Sequence, residues 1–288
     1  MSKDFVNKYL NYKKKLTDYS EYLNPVWSER EKELENYFLS SFSSNFLQHP
    51  LFRETMFVAG GKKWQNIQLA FLNNLFSAAK LLLLLREDLF GRPSITSLRY
   101  LTSHNSIHLL YHLTKFFQET GTKISDFQNI MEWGGGYGRL AVILSRINSK
   151  INYLCIDLPV MAFIQATYLS QVLGKNKINL HLNRELIIIP NTINLIPLPT
   201  LINNKTSHFH TDLFISTWAL SESAPSAQKF VLDNDFFGAK YLLLTYQKRS
   251  LRFPKAEIKN LIPKNFTITY NFEIEFLKEN YYLFAERQ

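Results

Sequence analysis

A cluster of glycines at residues 134–138 constrains the fold more than any other stretch of the chain. It stands in EWGGGYGRL, after the apolar run NIMEW and before the helix-like run RLAVILSRI, and it holds four of the ten glycines. Glycine allows left-handed backbone and close approach of a ligand. A strand, a glycine turn and a helix predict a βα unit whose helix N-terminus faces a ligand. A plain turn seldom needs Gly134, Gly136 and Gly138 in alternation, so we interpret the stretch as a ligand-binding loop.

Short apolar runs alternate with helical stretches from residue 126 onward. FQNIMEW, INYLCID, DLFIST and KYLLLTYQ have the composition of buried parallel strands, and YGRLAVILSRINS and VMAFIQATYLSQVLG separate the first pairs as helices. This rhythm predicts an α/β fold with a doubly wound, mostly parallel sheet. The final stretch, FTITYNFEIEFLKENYYLFAERQ, predicts a closing β-hairpin around a KEN turn.

Residues 1–125 predict an N-terminal α-helical region instead. WSEREKELENYFLSSF carries a capping-box pattern that begins at Ser28. The stretch at 64–85 repeats apolar residues at helical spacing, and the stretch at 94–121 ends at Gly121, a helix stop signal. We expect two regions, with 1–125 serving as a lid, a substrate domain or a dimerisation surface, and 126–288 binding the ligand.

The net charge of +9 raises the question of a nucleic-acid partner. The lysines are spread along the chain, with KYLNYKKKL as the tight cluster, and no arginine-rich tract accompanies them. We therefore interpret the charge as background basicity and expect no nucleic acid.

Cellular location is predicted from three features of the sequence. The first residues lack an apolar signal segment, and AAKLLLLLRED falls far short of the roughly 20 apolar residues that cross a bilayer. The single cysteine, Cys155, lies in an apolar run and is expected to be a buried thiol. These features predict a cytoplasmic protein without a membrane span.

The glycine spacing distinguishes between kinds of nucleotide ligand. A dinucleotide fingerprint read from Gly134 needs glycine at position 139, where Arg139 stands, and no Gly-Lys-Ser/Thr follows for a P-loop. The pattern is instead Glu-x-Gly-x-Gly-x-Gly, starting at Glu132. INYLCID then ends at Asp157, nineteen residues after Gly138. A carboxylate at that spacing, at the end of the next strand, can accept hydrogen bonds from ribose hydroxyls.

These motifs resemble class I S-adenosylmethionine (SAM) methyltransferases. Within that class EWGGGYGRLA, IDLPVMAFIQATYLSQVLG and DLFISTWALSES are similar to the sugar O-methyltransferase family, as is the upstream LFGRPSITSLRYLTSHNSIHLLYHL. The likeness spans roughly residues 88–245. It implies a Rossmann-like class I methyltransferase sheet, SAM as cofactor, and a methyl acceptor that is the hydroxyl of a nucleotide sugar, a glycan or a glycosylated natural product.

Carried over residue by residue, the resemblance also implies the cofactor contacts. It assigns a loop around the amino-acid end of SAM, a ribose contact and an adenine contact. These are Glu132, Gly134, Gly136, Tyr137 and Gly138 for the loop, Asp157 for the ribose and Leu158 beside the adenine.

Methyl transfer to a hydroxyl benefits from a general base near the end of the predicted strand DLFIST. Glu222, as the base or to orient a hydroxyl, and Ser221 follow that strand; the alternative is that Ser221 or Ser223 caps the next helix and Glu222 lies in its first turn. His104 is a further candidate base, on a helical face with two other histidines, for which we expect no metal. Substrate contacts are predicted at Trp218, which could stack on a sugar or pack in the core, and at Tyr246.

Two other functions remain open at this stage. The positive charge favours a nucleic-acid methyltransferase, although STWALSE lacks the Asn/Asp-Pro-Pro-Tyr pattern of amino-methylating enzymes. A methyltransferase fold without catalysis, acting as a binding or scaffold subunit, is the second. The sequence also leaves a homo-oligomer open.

Overall fold

The computed structural model describes residues 3–56, 61–183, 185–204, 209–248 and 258–288. Within these residues, eight strands form one sheet in the order β3-β4-β2-β1-β5-β6-β8-β7. Their bounds are β1 Asn129–Trp133, β2 Asn152–Asp157, β3 Ile178–Leu180, β4 Ile193–Pro197, β5 Leu213–Thr217, β6 Tyr241–Gln247, β7 Phe266–Ile274 and β8 Leu277–Arg287. The six strands from β3 to β6 in this order run parallel, and β8 is antiparallel to both of its neighbours. This confirms the predicted α/β, Rossmann-like, mostly parallel sheet with a closing hairpin.

The helices lie on both faces of the sheet. They are α1 Lys3–Lys13, α2 Pro25–Ser40, α3 Pro50–Thr55, α4 Lys62–Leu75, α5 Ala78–Leu85, α6 His104–Thr120, α7 Arg139–Ile147, α8 Pro159–Val172, α9 Leu198–Ile202, α10 Ala219–Glu222 and α11 Pro225–Asp233. Alternate residues of each strand enter different cores, as the pleat requires. Ile130 packs with α6 and α8 on one face, while Met131 packs with α9 and α11 on the other. In the described residues no helix is both long and apolar enough to span a membrane.

The strand order reverses at β1: the strands that follow it directly lie on one side of β1, and the later strands lie on the other side. After β1 the chain adds β2, β3 and β4 outward, then crosses back so that β5 pairs with β1. The carboxyl ends of β1 and β5 therefore flank a topological switch point, where ligands bind in open α/β sheets.

Several local predictions are corrected by the structure. The capping residue of α2 is Asn24, whose side chain accepts from the N–H of Trp27, because Pro25 fixes the first turn earlier than Ser28 would. The predicted helix over 64–85 is two helices, since Phe76 is extended and Ser77 caps α5. Gly121 does end α6 in the left-handed conformation, as predicted.

The sheet differs from the sequence prediction at two places. Between β2 and β5 the sequence indicates one indistinct strand, in INLHLNRELIIIP, whereas the structure has two: β3, which is only three residues long, and β4, which ends at a proline. The hairpin does not turn at KEN: Ile274 pairs with Leu277, so the turn is at 275–276 and KEN lies inside β8.

The helical region and the sheet are joined through a shared core. Tyr9 of α1 packs edge-on against Phe163 of α8 at 5.1 Å between ring centroids, and the same core continues into the sheet. This core therefore crosses the predicted boundary at residue 125, while the division into two functional regions stays a prediction.

Arg139, the residue that stands where a dinucleotide site needs glycine, ties the helical region to α7. It is 1% exposed, and its guanidinium donates to Ser106 Oγ at 2.7 Å and to the carbonyl of Leu85 at 2.9 Å. It also forms ion pairs with Glu87 at 3.3 Å and Asp88 at 3.2 Å. All three nitrogens of the Arg139 guanidinium donate to acceptors inside the fold. Its charge therefore stabilises the packing of the helical region against α7.

Candidate functional site

A cavity of about 460 Å³ opens at the carboxyl edge of the sheet, between β1 and β5. Its volume falls within the roughly 300–1,000 Å³ of small-molecule sites. All four tryptophans of the chain line it: Trp27, Trp64, Trp133 and Trp218. The cavity thus lies at the switch point, and its lining includes every tryptophan of the sequence.

The glycine loop forms one wall of the cavity and lies close to α10. Gly134 has φ +79°, and its N–H donates to the carbonyl of Ile156 at 2.8 Å. A Cβ placed on Gly134 would stand 2.1 Å from Cβ of Ala219, so no side chain fits. Gly138 is not on the wall; it begins α7 at φ +94° and packs beside Leu169.

We expect Gly134→Ala to destabilise the protein more than Gly121→Ala. Both glycines have positive φ, which opposes a side chain by about 1–2 kcal/mol. Gly121 has open space where a Cβ would stand, with no atom within 4 Å, whereas at Gly134 the added methyl must displace Ala219. Overpacking of this kind adds about 1–3 kcal/mol. Urea unfolding of the two variants measures the difference; equal destabilisation would contradict the tight approach.

Glu132 lies beneath the glycine loop. It is 2% exposed, its Oε2 accepts a hydrogen bond from the hydroxyl of Tyr153, and the Sγ of Cys155 lies 4.0 Å away. A Cβ on Gly135 would be 2.7 Å from the same Oε2, so the loop rests directly on this carboxyl. Burial raises the pKa of Glu132 to about 7, against a smaller lowering by the Tyr153 hydroxyl.

The raised pKa of Glu132 predicts a pH-dependent stability. A carboxyl whose pKa is higher in the folded than in the unfolded protein stabilises most below its unfolded value, and loses that effect as pH rises through the folded value. The difference in unfolding free energy between wild type and Glu132→Gln should fall between pH 4.5 and 7. The largest change in this difference is about 3.5 kcal/mol, at about 1.4 kcal/mol for each of the 2.5 pKa units.

Urea unfolding across this pH range measures the effect of Glu132. Glu29→Gln, at an exposed position of α2, is the matched control and should differ from wild type by a constant amount. A Glu132→Gln difference that is also constant with pH would show that this carboxyl does not titrate in the window.

Asp157 is held at the end of β2 by two donors. Its Oδ1 accepts from the N–H of Leu158 at 2.8 Å, and its Oδ2 accepts from Nε2 of Gln165 at 2.8 Å. The same Nε2 donates to the carbonyl of Gly136 at 2.7 Å, so Gln165 joins this acid to the glycine loop. Burial raises the pKa of Asp157 to about 7, partly offset by the Leu158 hydrogen bond.

Gln165 was missed by the sequence analysis. It lies eight residues after Asp157, about two turns along α8, and that spacing was the available signal. Its role is to fix the orientation of the Asp157 carboxylate.

Glu222 ends α10 on the opposite wall, where the N-terminal segment contacts it. Nε1 of Trp27 donates to Glu222 Oε2 at 3.3 Å, and the side-chain amide of Asn24 donates to the Glu222 backbone carbonyl. Burial raises the pKa of Glu222 to about 7, with a smaller lowering by the Trp27 hydrogen bond. The first turn of α2 is thereby attached to the carboxyl that the sequence predicts as a base.

Trp218 occupies an unusual backbone conformation beside the cavity. Its φ is 67° and its ψ −34°, a region that costs of order 1–3 kcal/mol for a bulky residue and recurs at functional sites. The indole stacks on His108 at 5.5 Å and 9° between planes, and its Nε1 donates to Asn280 Oδ1 at 2.6 Å. These contacts hold the ring against the cavity.

The three histidines of α6 form a buried hydrogen-bonded chain. His104 Nε2 contacts Gln68 Oε1 at 3.1 Å, Gln68 Nε2 contacts His108 Nδ1 at 2.6 Å, and the Nε2 atoms of His108 and His112 are 2.8 Å apart. Burial lowers the pKa of His108 well below its ordinary value and that of His112 to about 3, so both rings are neutral. Among the described residues no group of three or more His, Cys, Asp or Glu side chains is placed to hold a metal ion.

The structure brings most, but not all, of the predicted site residues together. Glu132, Gly134, Gly136, Tyr137, Asp157, Leu158, Trp218 and Glu222 line the cavity. Four predicted residues lie off this wall: Gly138, His104, Ser221 and Tyr246.

Two of the residues off the wall form local hydrogen bonds away from the cavity. The Ser221 hydroxyl donates back to the carbonyl of Trp218 at 2.7 Å, and Tyr246 donates to Asn271 at 3.1 Å. The cavity is lined instead by Ser223 near Ser221, by Gln247 next to Tyr246, and by His108 one turn after His104.

Comparison with known proteins finds only remote likeness. No family model and no curated protein matches the sequence. A magnesium protoporphyrin IX methyltransferase from Synechocystis PCC 6803, solved with SAH, is 13% identical over 63% of this chain and 84% of that one, with a TM-score of 0.43.

Two other solved structures are similarly distant. A SAM-dependent methyltransferase from Aquifex aeolicus is 14% identical over 62% of this chain and 89% of its own, with a TM-score of 0.42. A mitomycin 7-O-methyltransferase is 12% identical over 84% and 70%, with a TM-score of 0.42. A likeness this remote adds no evidence for the assignment of the fold. That assignment rests on the order and direction of the strands of this chain.

Proposed function

We propose that the protein is a SAM-dependent O-methyltransferase that methylates a hydroxyl of a sugar. The observation that carries the proposal is the convergence of the glycine loop, Asp157 and Glu222 on one cavity at the switch point of the sheet. The sugar acceptor follows from the sequence resemblance in EWGGGYGRLA, IDLPVMAF and DLFISTWALSES.

The backbone and the side chains that line the cavity suit SAM in shape. The loop at Gly134 and Gly135 leaves no room for a Cβ, so backbone alone can face the amino-acid end. Asp157 presents a carboxylate to ribose hydroxyls, with Leu158, Met161 and Leu198 as apolar neighbours for a base. These residues would hold the cofactor.

The charge of the wall favours a cationic ligand. Glu132, Asp157 and Glu222 line the cavity, and the guanidinium of Arg139 is bound to groups of α5, α6 and the segment between them. A sulfonium that enters this space meets carboxyls whose ionised form it stabilises, which offsets their burial. When bound, SAM supplies the activated methyl group.

The protein's own contribution to the reaction is to position the hydroxyl and accept its proton. A sugar hydroxyl is a weak nucleophile, so a carboxylate within hydrogen-bond reach assists the displacement. We assign this role to Glu222: Trp27 occupies Oε2, which leaves Oε1 to take the proton. The aromatic walls exclude water and align the reacting atoms.

Transfer of labelled methyl groups tests the proposal. Purified protein is incubated with methyl-labelled SAM and neutral, phosphorylated and nucleotide-linked sugars, with total RNA as a further acceptor. We expect label in an O-methyl sugar. Label in RNA that is lost at high salt would establish the nucleic-acid alternative instead, and SAM binding without transfer to any acceptor would favour a non-catalytic role.

A further inference from the structure

Exposed apolar side chains are concentrated in one short part of the chain. Among the described residues, seven of the eleven large apolar side chains that are exposed lie between positions 75 and 101. Five of these are leucines, which together we call the leucine surface: Leu82, Leu83, Leu89, Leu98 and Leu101. Leu89 is 96% exposed and Leu98 is 83% exposed. A cluster of exposed apolar side chains marks a surface that binds a protein or a membrane.

The first part of the leucine surface is the outer face of α5 and the turn after it. Leu82 and Leu83 lie on the exposed side of α5, opposite its buried leucines, and Arg86 follows Leu82 by about one turn. Leu89 comes three residues after Arg86, so their Cα atoms are at most about 11 Å apart. These side chains therefore form one continuous stretch of surface.

The second part is the turn at 97–102, which packs against the end of α5. The N–H of Glu87 donates to the carbonyl of Leu101 at 2.9 Å, and the N–H of Leu101 donates to the carbonyl of Leu98 at 3.3 Å. The hydroxyl of Tyr100 donates to Oδ1 of Asn73 on α4, which holds the tip of the turn in place. The exposed leucines of this turn therefore lie beside the first part of the surface.

Positive charge accompanies the leucines, because the acids of the same segment are paired inside the fold. Arg86 and Arg99 are exposed. Glu87 and Asp88, the two acids between positions 82 and 101, form ion pairs with the buried Arg139 at 3.3 Å and 3.2 Å. The surface thus presents leucine and arginine to the solvent, and its charge is complementary to that of an anionic partner.

An anionic lipid surface fits this combination better than a folded partner does. Leu89 and Leu98 stand out from turns, so a rigid partner needs a matching pocket for each, whereas a fluid bilayer accepts apolar side chains in any arrangement. Basic side chains beside apolar ones bind at the interface of anionic membranes. A second copy of the chain, related by a two-fold axis, would bring the same arginines together, which their like charge opposes.

We propose that the leucine surface binds peripherally to a bilayer that contains anionic lipids. The leucines insert at the boundary between headgroups and acyl chains, and Arg86 and Arg99 contact the anionic headgroups. Such docking needs neither the cavity nor the methyl transfer proposed above.

Sedimentation with vesicles measures the binding. The full-length protein is mixed with vesicles of phosphatidylcholine alone, or of equal parts phosphatidylcholine and phosphatidylglycerol. We expect at least tenfold higher affinity for the anionic vesicles. The net charge of +9 attracts any anionic surface, so variants with matched controls are needed to locate the contact.

Replacing two exposed leucines tests the apolar contact. Leu89→Ser combined with Leu98→Ser should weaken binding to anionic vesicles at least tenfold, because the inserted side chains are lost. Ile187→Ser combined with Phe272→Ser is the matched control, since it removes two apolar side chains that are 63% and 61% exposed outside the leucine surface. The control should bind as wild type does, and thermal unfolding verifies that both proteins fold.

Replacing the two arginines tests the charged contact. Arg86→Gln combined with Arg99→Gln should bind anionic vesicles about tenfold more weakly than Lys175→Gln combined with Lys177→Gln. The two lysines are exposed after α8, so the control removes the same net charge away from the leucine surface.

Four results would overturn the assignment of this surface. They are equal affinity for the two kinds of vesicle, no binding to either, leucine or arginine variants that bind as tightly as their controls, and self-association through the same leucines. Sedimentation velocity without lipid measures the last of these: a stable dimer that Leu89→Ser with Leu98→Ser dissociates would assign the surface to a second copy of the chain.

Discussion

Asp157→Ala is expected to abolish SAM binding at concentrations that saturate the wild type. The carboxylate is held by Leu158 and Gln165 with its oxygens at the end of β2, ready to accept from two ribose hydroxyls. Hydrogen bonds to a charged group contribute about 1.5–3 kcal/mol each, so the loss of two weakens binding at least about 100-fold. Isothermal titration calorimetry measures the affinity directly.

Asp126→Ala is the control for this substitution. Asp126 is an exposed acid that precedes β1, at the opposite edge of the sheet from the cavity, so its loss should leave SAM affinity unchanged. Thermal unfolding of both variants establishes that they fold. An Asp157→Ala protein that folds and binds SAM with wild-type affinity would remove Asp157 from the site.

Glu222→Gln is expected to retain SAM affinity and to lose turnover by about 10²–10⁴-fold, the usual contribution of a general base. Glutamine keeps an oxygen for the Trp27 indole N–H but takes no proton from the acceptor. Since the carboxylate is the active form and burial raises its pKa to about 7, wild-type turnover should rise with pH through that value. The variant should lack this limb of the pH profile.

Ser221→Ala is the control for Glu222→Gln. Its hydroxyl donates to the Trp218 carbonyl and lies off the cavity wall, so turnover should change by only a few fold. If Ser221→Ala lost as much activity as Glu222→Gln, or if Glu222→Gln turned over at the wild-type rate, the assignment of the base would be wrong.

The parts of the fold that sequence predicts are those encoded by neighbouring residues. The runs that became β1, β2, β5 and β6 are apolar stretches bounded by polar residues, and the end of α6 at Gly121 needs only a left-handed residue. The glycine loop and Asp157 were accessible because their spacing follows from one strand, one turn and one helix.

The rest of the site depends on contacts between distant segments. Trp27 reaches Glu222 across 195 residues of sequence, and Asn24 reaches it across 198, so no local pattern reveals them. The choice of His108 over His104 at the cavity depends on how α6 packs against α4 and against Trp218, which periodicity alone does not fix. β3 gives only an indistinct strand signal because it is three residues long.

Calorimetric titration of SAM into the full chain tests the central claim most directly. The cavity, the glycine loop and Asp157 predict saturable heat with one site per chain, competed by S-adenosylhomocysteine. No heat at millimolar SAM, from protein shown to be folded, would contradict the assignment of this cavity to the cofactor and with it the proposed methyl transfer.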